Sequence, residues 1–287
     1  MFEEPEGWTE LQRCDIHDLV GDYTIRKHTR LTSYRVMLTF AISRGRPGSA
    51  ELTPRPSAEA WSDTASPVSP LSTPLGDVSR LYRGCSAGTS EIVNGMQECT
   101  HIFLARWNHL HGTQTTSKGR LENYDLQLQN IYRRLLSLPS TKVDLTRDWI
   151  YESCRLAALI YCRSIVHGTD FADSANTMHA DTCGTLLSAL HHALGRTDSQ
   201  NCWGFDLSGV FLWVTLFGAA SSWSSQFPWS ETTLQSLPLM RKYFALYAVR
   251  AAVSVPFEHA DTTILALRTM LQVRRCLAIE SGQAMGQ

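Results

Sequence analysis

No Cys-x-x-Cys pair occurs anywhere in this chain, although it contains eight cysteines. That absence removes the paired-thiolate arrays that usually hold structural zinc. Cys14, Cys85, Cys99, Cys154, Cys162, Cys183, Cys202 and Cys276 are dispersed without close spacing, and no Asn-x-Ser/Thr site accompanies them. Reduced thiols in the cytosol or nucleus fit this usage. An excess of positive charge is also lacking: 26 Lys and Arg stand against 27 Asp and Glu, a formal net charge of −1. Phosphate backbones are gripped by clustered cations, so a large nucleic-acid footprint is not expected. The small basic groups Arg26-Lys27-His28-Thr29-Arg30, Arg133-Arg134, Arg241-Lys242 and Arg274-Arg275 read as solvated helix faces.

Long hydrophobic runs are absent too. The longest uncharged stretch runs from Leu207 to Ser230, and its strongly apolar part covers only Gly209 to Ala220. A bilayer needs about 20 apolar residues in a helix, so this segment reads as a buried core helix and no membrane partner is expected. The N-terminus has Glu3, Glu4 and Glu6 and no apolar signal region. Catalytic signatures do not appear: there is no Gly-x-Gly-x-x-Gly, Walker loop, His-Glu-x-x-His or Gly-x-Ser-x-Gly. Asp170-Phe-Ala-Asp173 lacks the adjacent carboxylates that would bridge Mg²⁺. No catalytic residue is assigned, cofactor-binding residues are unknown, and the expectation is a protein that is not an enzyme.

What is present is enough apolar residue for a sizeable core: 43% of 287 residues are hydrophobic and 18% charged. The clearest boundary is residues 44–79, which hold six of the eleven prolines among Ser, Thr and Gly. Proline donates no backbone hydrogen bond and pushes its predecessor towards extended conformations. This segment is expected to be a solvated linker. It includes Ser66-Pro-Val-Ser-Pro70 and Ser72-Thr-Pro74, whose Ser-Pro and Thr-Pro pairs suit proline-directed kinases as well as plain linker composition.

Strand alternation is weak throughout, and helical spacing dominates after residue 80. Helices are expected over 89–110 and over 121–138, the second ended by Pro139. A third holds Ile150, Cys154, Ala157 and Tyr161 on one face, capped by Asp144 or Thr146 and stopped at Gly168. A fourth is expected over 179–194, with Cys183, Leu187, Leu190 and Leu194 in one stripe. Asp206 is the expected cap of the helix that holds Trp213, and Pro238 is expected in the first turn of a helix running towards Val255. After Pro256 comes a last helix with Ile264, Leu267, Met270 and Leu271. The expected organisation is all-α: a helical segment at 1–43, the linker at 44–79, a helical domain at 80–280 and a tail at 281–287.

The spacings of several histidines and cysteines bear on metal ligation. His109 and His111 are two apart, so a helix points them in different directions. His179 and Cys183, four apart, would share a helix face that zinc can use, with His191 and His192 beyond. Cys183 also begins the leucine stripe, which favours a core thiol. Cys154 and Cys162 are too far apart along a helix to close on one ion. No metal site is assigned. A helical enzyme would need a cluster such as His179, His191 and His192. Glu152 and Arg155, three apart, are neighbours on a helix whose flanks are apolar, and they are expected to be a partly buried pair that joins helices. Trp213 is expected to anchor the core.

At these residues the chain resembles a known family. Trp149-x-x-Glu152-x-x-Arg155-Leu-Ala-Ala-Leu-Ile-Tyr161 is similar to the central helix of the fungal-specific transcription factor domain, the regulatory region of fungal zinc-cluster transcription factors. Leu190-x-x-Ala-Leu194, Cys202-Trp203 and Leu207-x-Gly209-Val-x-Leu-Trp213-Val-x-Leu-x-Gly218-Ala-Ala220 are similar to its later part, and Tyr82-x-Gly84-Cys85 with Glu91-Ile92 to its earlier part. The resemblance spans roughly residues 80 to 279. It implies an all-helical regulatory region in the nucleus, acting through other transcription factors or coregulators, with a small-molecule effector as a further candidate and homo-oligomers open. The family reads DNA through six cysteines in two Cys-x-x-Cys-x6-Cys arrays, which this sequence lacks, so direct specific DNA binding by this chain is not expected. An upstream exon carrying that array, and a stand-alone scaffold or inhibitor that pairs with full-length relatives, both stay open.

Overall fold

The computed structural model describes residues 28–44, 68–72, 84–112, 118–140, 148–179, 184–198, 202–223, 231–256 and 259–282. Among the described residues the fold is all-α. In chain order the helices are α1 (28–44), α2 (Ala87–His111), α3 (Lys118–Leu136), α4 (Trp149–His167), α5 (Phe171–Ala175), α6 (Leu186–Gly195), α7 (Ser208–Ser221), α8 (Glu231–Ser254) and α9 (Ala260–Glu280). Extended pairing is confined to a single bridge between Met178 and Thr185 among these residues.

Polar side chains set the helix starts by taking up orphan amides. Ser86 Oγ accepts from the Thr89 amide at 3.3 Å, and Thr185 Oγ1 accepts from Ser188 at 3.2 Å. At α4 the cap is Asp148, whose Oδ1 accepts from the Tyr151 amide at 2.9 Å. The expected caps, Asp144 and Thr146, lie outside the described residues. Gly168 ends α4 in the left-handed region at φ 61°, and its amide returns to the Ser164 carbonyl, as the stop signal predicts.

Other boundaries differ from expectation. The helix expected over 179–194 begins only at Leu186, because residues 177–179 turn back on Gly184 and Thr185 instead of coiling. The His179 amide donates to the Gly184 carbonyl at 2.8 Å, and the Leu186 amide to Thr177 at 2.9 Å. The N-cap of α7 is Leu207, with no side-chain bond, so Asp206 does not cap that helix. Pro238 lies inside α8, not in its first turn, because the helix starts at Glu231. The ring leaves the Leu234 carbonyl without its usual amide partner. The short α5 was not expected at all.

Two helices are buried nearly all round, and the others pack about them. Every residue of α7 from Gly209 to Ser221 is buried, as is nearly all of α4 from Glu152 to Ile165. A helix apolar on every side has no solvent face and must sit in the middle. Burying one Leu or Phe side chain contributes about 1.5–3 kcal/mol, so these two helices supply much of the fold's drive. α4 touches α2, α3, α5, α6 and α7, while α7 packs most closely on α8. Gly218 makes that approach possible: a Cβ there would run into the Phe244 ring of α8.

The N-terminal helix belongs to the same body. Leu38 and Ile42 of α1 join the common core. Buried Arg35 donates from Nη1 to the Val255 carbonyl at 3.1 Å, across 220 residues of chain. Arg268 of α9 donates to the Tyr34 hydroxyl at 3.3 Å. At the far end of α1, Trp223 lies between two guanidinium groups, Arg44 at 5.7 Å and Arg241 at 4.9 Å from its ring centre.

The solvated-linker expectation fails at residues 68–72. Val68, Ser69, Pro70 and Leu71 are buried, and the Val68 carbonyl lies so near the Gly209 backbone that a Cβ there would sit 2.5 Å from it. Apolar side chains at Val68 and Leu71 outweigh the linker-like composition around them. The rest of that segment, 45–67 and 73–79, lies outside the described residues.

Candidate functional site

The charged pair of α4 forms the polar centre of the molecule. Arg155 donates from Nε to Glu152 Oε2 at 2.9 Å and from Nη2 to Oε1 at 2.7 Å. Both side chains are under a tenth exposed, 7% for Arg155 and 8% for Glu152. A bidentate fork of this kind satisfies two donors and both carboxylate oxygens in one plane. Arg155 Nη2 also lies 3.4 Å from His179 Nε2. Arginine has no acceptor and does not lose its proton in a protein, so the imidazole nitrogen facing it is the acceptor. The fork itself stays within α4, and the Arg155–His179 contact ties it to the turned connector between α5 and α6, where the sequence predicts a link between helices.

Around Tyr161, one and a half turns further along α4, the centre becomes aromatic. The Tyr161 hydroxyl meets Thr100 Oγ1 of α2 at 2.7 Å, and its ring stands edge-on to Phe217 at 4.7 Å. Trp213 lies edge-on to both, 6.5 Å from Tyr161 and 5.5 Å from Phe217, and is fully buried as expected of an anchor. Burial pushes the Tyr161 phenol well above its ordinary range, with the Cys99 thiol adding to the effect. The Trp213 indole N–H is buried without a partner. Such a filled, edge-to-face core holds its shape.

Among the described residues the histidines do not gather. His111 stacks on Trp107 at 3.8 Å and His109 on Tyr124 at 5.6 Å, each pointing its own way as the two-residue spacing requires. His191 packs edge-on against Tyr243 of α8 at 4.6 Å, and His192 against Trp149 at 5.7 Å. His179 sits on Arg155 in the connector and not on a helix; Cys183 lies outside the described residues. Among the described residues no three His, Cys, Asp or Glu side chains stand together as metal ligands.

The cysteines hold a contact that sequence spacing concealed. Cys154 and Cys162 are both buried on α4 but take different neighbours. Cys162 Sγ donates to Cys99 Sγ of α2 at 3.5 Å and lies 4.0 Å from Met96 Sδ. That hydrogen bond and burial raise the Cys99 thiol well above its ordinary range, and burial alone is the main cause at Cys154. Thiols kept protonated in this way behave as small hydrophobes. Nothing in the spacing of residues 63 apart announces the contact; only the inward faces of two separate helices do.

Two small clefts lie among the described residues. One lies between α7 and α9 at Gly209, Leu212, Thr263 and Ala266, beside the 68–72 turn, and another between α2 and α3 at Gly95, Met96 and Ile131. Each has about 10 Å³ of free space, enough for one water. Small-molecule sites are usually some 300–1,000 Å³, so neither of these two clefts as it stands would hold one. No helix among the described residues is long and apolar enough to cross a membrane. No known protein family, no curated protein and no solved structure matches this chain.

Proposed function

We propose that this chain is a helical regulatory region of the kind found in fungal zinc-cluster transcription factors, working in the nucleus through contacts with other transcription factors or coregulators. One observation carries the reading. The residues on which the resemblance rests, Trp149, Glu152, Arg155, Trp203, Gly209 and Trp213, are scattered over 65 positions of sequence yet all belong to, or pack against, the two central helices α4 and α7. Glu152 and Arg155 form the buried fork, Trp213 anchors the core, Trp203 packs against Phe211 at 5.1 Å, and Gly209 admits a neighbouring backbone. Those are structural jobs, and a pattern of structural residues suits a family held together by its fold, not by a reaction. The balanced charge supports contacts with protein over direct contacts with DNA.

The test is a tethering experiment. The whole chain is fused to an unrelated sequence-specific DNA-binding module and expressed with a reporter gene. A regulatory region changes transcription several-fold, up or down, relative to the module alone, and the Trp213→Ala variant loses the effect together with its fold. A folded, nuclear fusion that leaves the reporter at the level of the module alone would overturn the reading.

A further inference from the structure

The turn at 68–72 combines a sequence signal with a buried position. Ser69 opens a β-turn with Pro70 at its second position: the Ser72 amide donates to the Ser69 carbonyl at 3.3 Å, and the Leu71 amide donates to Ser69 Oγ at 3.3 Å. Val68 is 2% exposed, Ser69 4% and Leu71 6%. The turn lines the cleft between α7 and α9 together with Gly209, Leu212, Val255 and Ala266, and lies directly on Gly209. Glycine at 209 is what lets the Val68 backbone come down onto α7. The Ser72 hydroxyl is buried there with no partner, so apolar contact does much of the holding.

We propose that Ser69, followed by Pro70, is a phosphorylation site for a proline-directed kinase, and that its phosphate expels the 68–72 turn from the α7–α9 cleft. In the transfer, Ser69 Oγ bonds to the γ-phosphorus of ATP as the bond to the β,γ-bridging oxygen breaks. The hydroxyl proton passes to the kinase's base, and ADP leaves. The product carries about −1.5 to −2 charge and three strong acceptor oxygens. Among the described residues lining the cleft there is no lysine or arginine, and Arg35, at the Val255 carbonyl on its edge, already donates there, so returning the phosphoserine to this site would bury a dianion with at most that one guanidinium near it. Because the Ser69 side chain is enclosed, the kinase meets it only after the turn has lifted locally. Phosphorylation then holds the lifted state and leaves Leu212, Val255 and Ala266 open to solvent.

The experiment uses the purified full chain, a proline-directed kinase with ATP, and a synthetic peptide of residues 62–76 as the fully open reference. Ser69 labelling is followed by mass spectrometry, and hydrogen exchange is read at Leu71, Ser72 and residues 262–266. The expected result is that Ser69 in the folded chain is labelled at least about tenfold more slowly than in the peptide, as local opening requires. The Val68→Ser/Leu71→Ser variant approaches the peptide rate, and the phosphorylated wild-type chain exchanges faster at the turn and at 262–266. Gly209→Val, which forces the turn out by its added bulk, gives the same acceleration if the double variant impairs recognition by the kinase. Three results would overturn the proposal: no labelling of Ser69 even in the peptide, equal labelling of peptide and folded chain, or a phosphorylated chain whose exchange is unchanged. These readouts come from the chain alone, so they stand or fall apart from the reporter result.

Discussion

Arg155 grips Glu152 from one turn further along α4 through two parallel hydrogen bonds, 2.9 and 2.7 Å, in a site almost closed to water. Taking both charges out of water is costly, and the fork offsets that cost only while both partners are present. Arg155→Ala leaves a buried carboxylate and is expected to lower stability by about 3–5 kcal/mol. Replacing both, Glu152→Leu with Arg155→Met, should recover most of the loss, because no charge is then stranded. Urea unfolding of wild type and the two variants decides it, and an unchanged midpoint for Arg155→Ala removes the pair from the account of stability.

The α7–α8 interface depends on Gly218. A methyl group there meets the Phe244 ring, which is itself fully buried and has little room to move. Gly218→Ala should therefore cost about 1–3 kcal/mol, in the range of overpacked cores, despite the better helix propensity of alanine. Adding Phe244→Leu should relieve part of the clash, so that the double variant is more stable than the sum of the single changes predicts. Strict additivity in thermal melts would show that α8 yields without strain.

His191 gives a direction for acid sensitivity. Burial, and next to it His192, lowers the His191 imidazole below its usual value of 6.5, where it packs on Tyr243. The folded state thus prefers the neutral ring, and the unfolded chain takes up the proton first as pH falls. Its contribution is complete above about pH 6.5 and is lost progressively below that. His191→Phe keeps the aromatic contact and removes the proton site. Its melting temperature should fall less steeply than wild type between about pH 7 and 5; parallel curves would assign the acid sensitivity elsewhere.

Thiol reactivity should follow burial. Cys202 is exposed and Cys85 partly so, whereas Cys99, Cys154 and Cys162 have no exposed surface. Burial, reinforced by Glu280, also pushes the Cys276 thiol up to about 12. Only the thiolate reacts appreciably with alkylating agents. Among the described cysteines, iodoacetamide labelling mapped by mass spectrometry should find Cys202 first, with Cys99 and Cys162 modified only on unfolding. Early modification of Cys162 in the native chain would mean that the α2–α4 interface opens readily.

The all-helical architecture was legible because the apolar residues of α2, α4, α7 and α9 recur at helical spacing, a property each segment carries by itself. Trp213 and the Glu152–Arg155 pair were legible for the same reason: their roles follow from what surrounds them within one turn. The connector holding His179 was not, since its backbone pairs with Gly184 and Thr185 instead of continuing the helix, and the competing leucine stripe pulled the expected start of α6 seven residues too early. The Cys99–Cys162 contact joins two helices and has no local trace. At 68–72 a signal was present, with Val68 and Leu71 as apolar residues in a proline- and serine-rich stretch, but their seat is made by Gly209, about 140 residues away. The complementary surface is visible only in three dimensions.

The bond from Arg35 to the Val255 carbonyl has a practical bearing on how this polypeptide is handled. Composition invites a cut near residue 80, at the end of the proline-rich stretch. Such a cut would discard the guanidinium that satisfies Val255, together with Leu38, Ile42, Val68 and Leu71 from the shared core. The shorter product would present their vacated seats to water as a sticky surface, and precipitation would then be mistaken for an intrinsic property of the helical region. A fragment that keeps this shared core intact begins no later than α1.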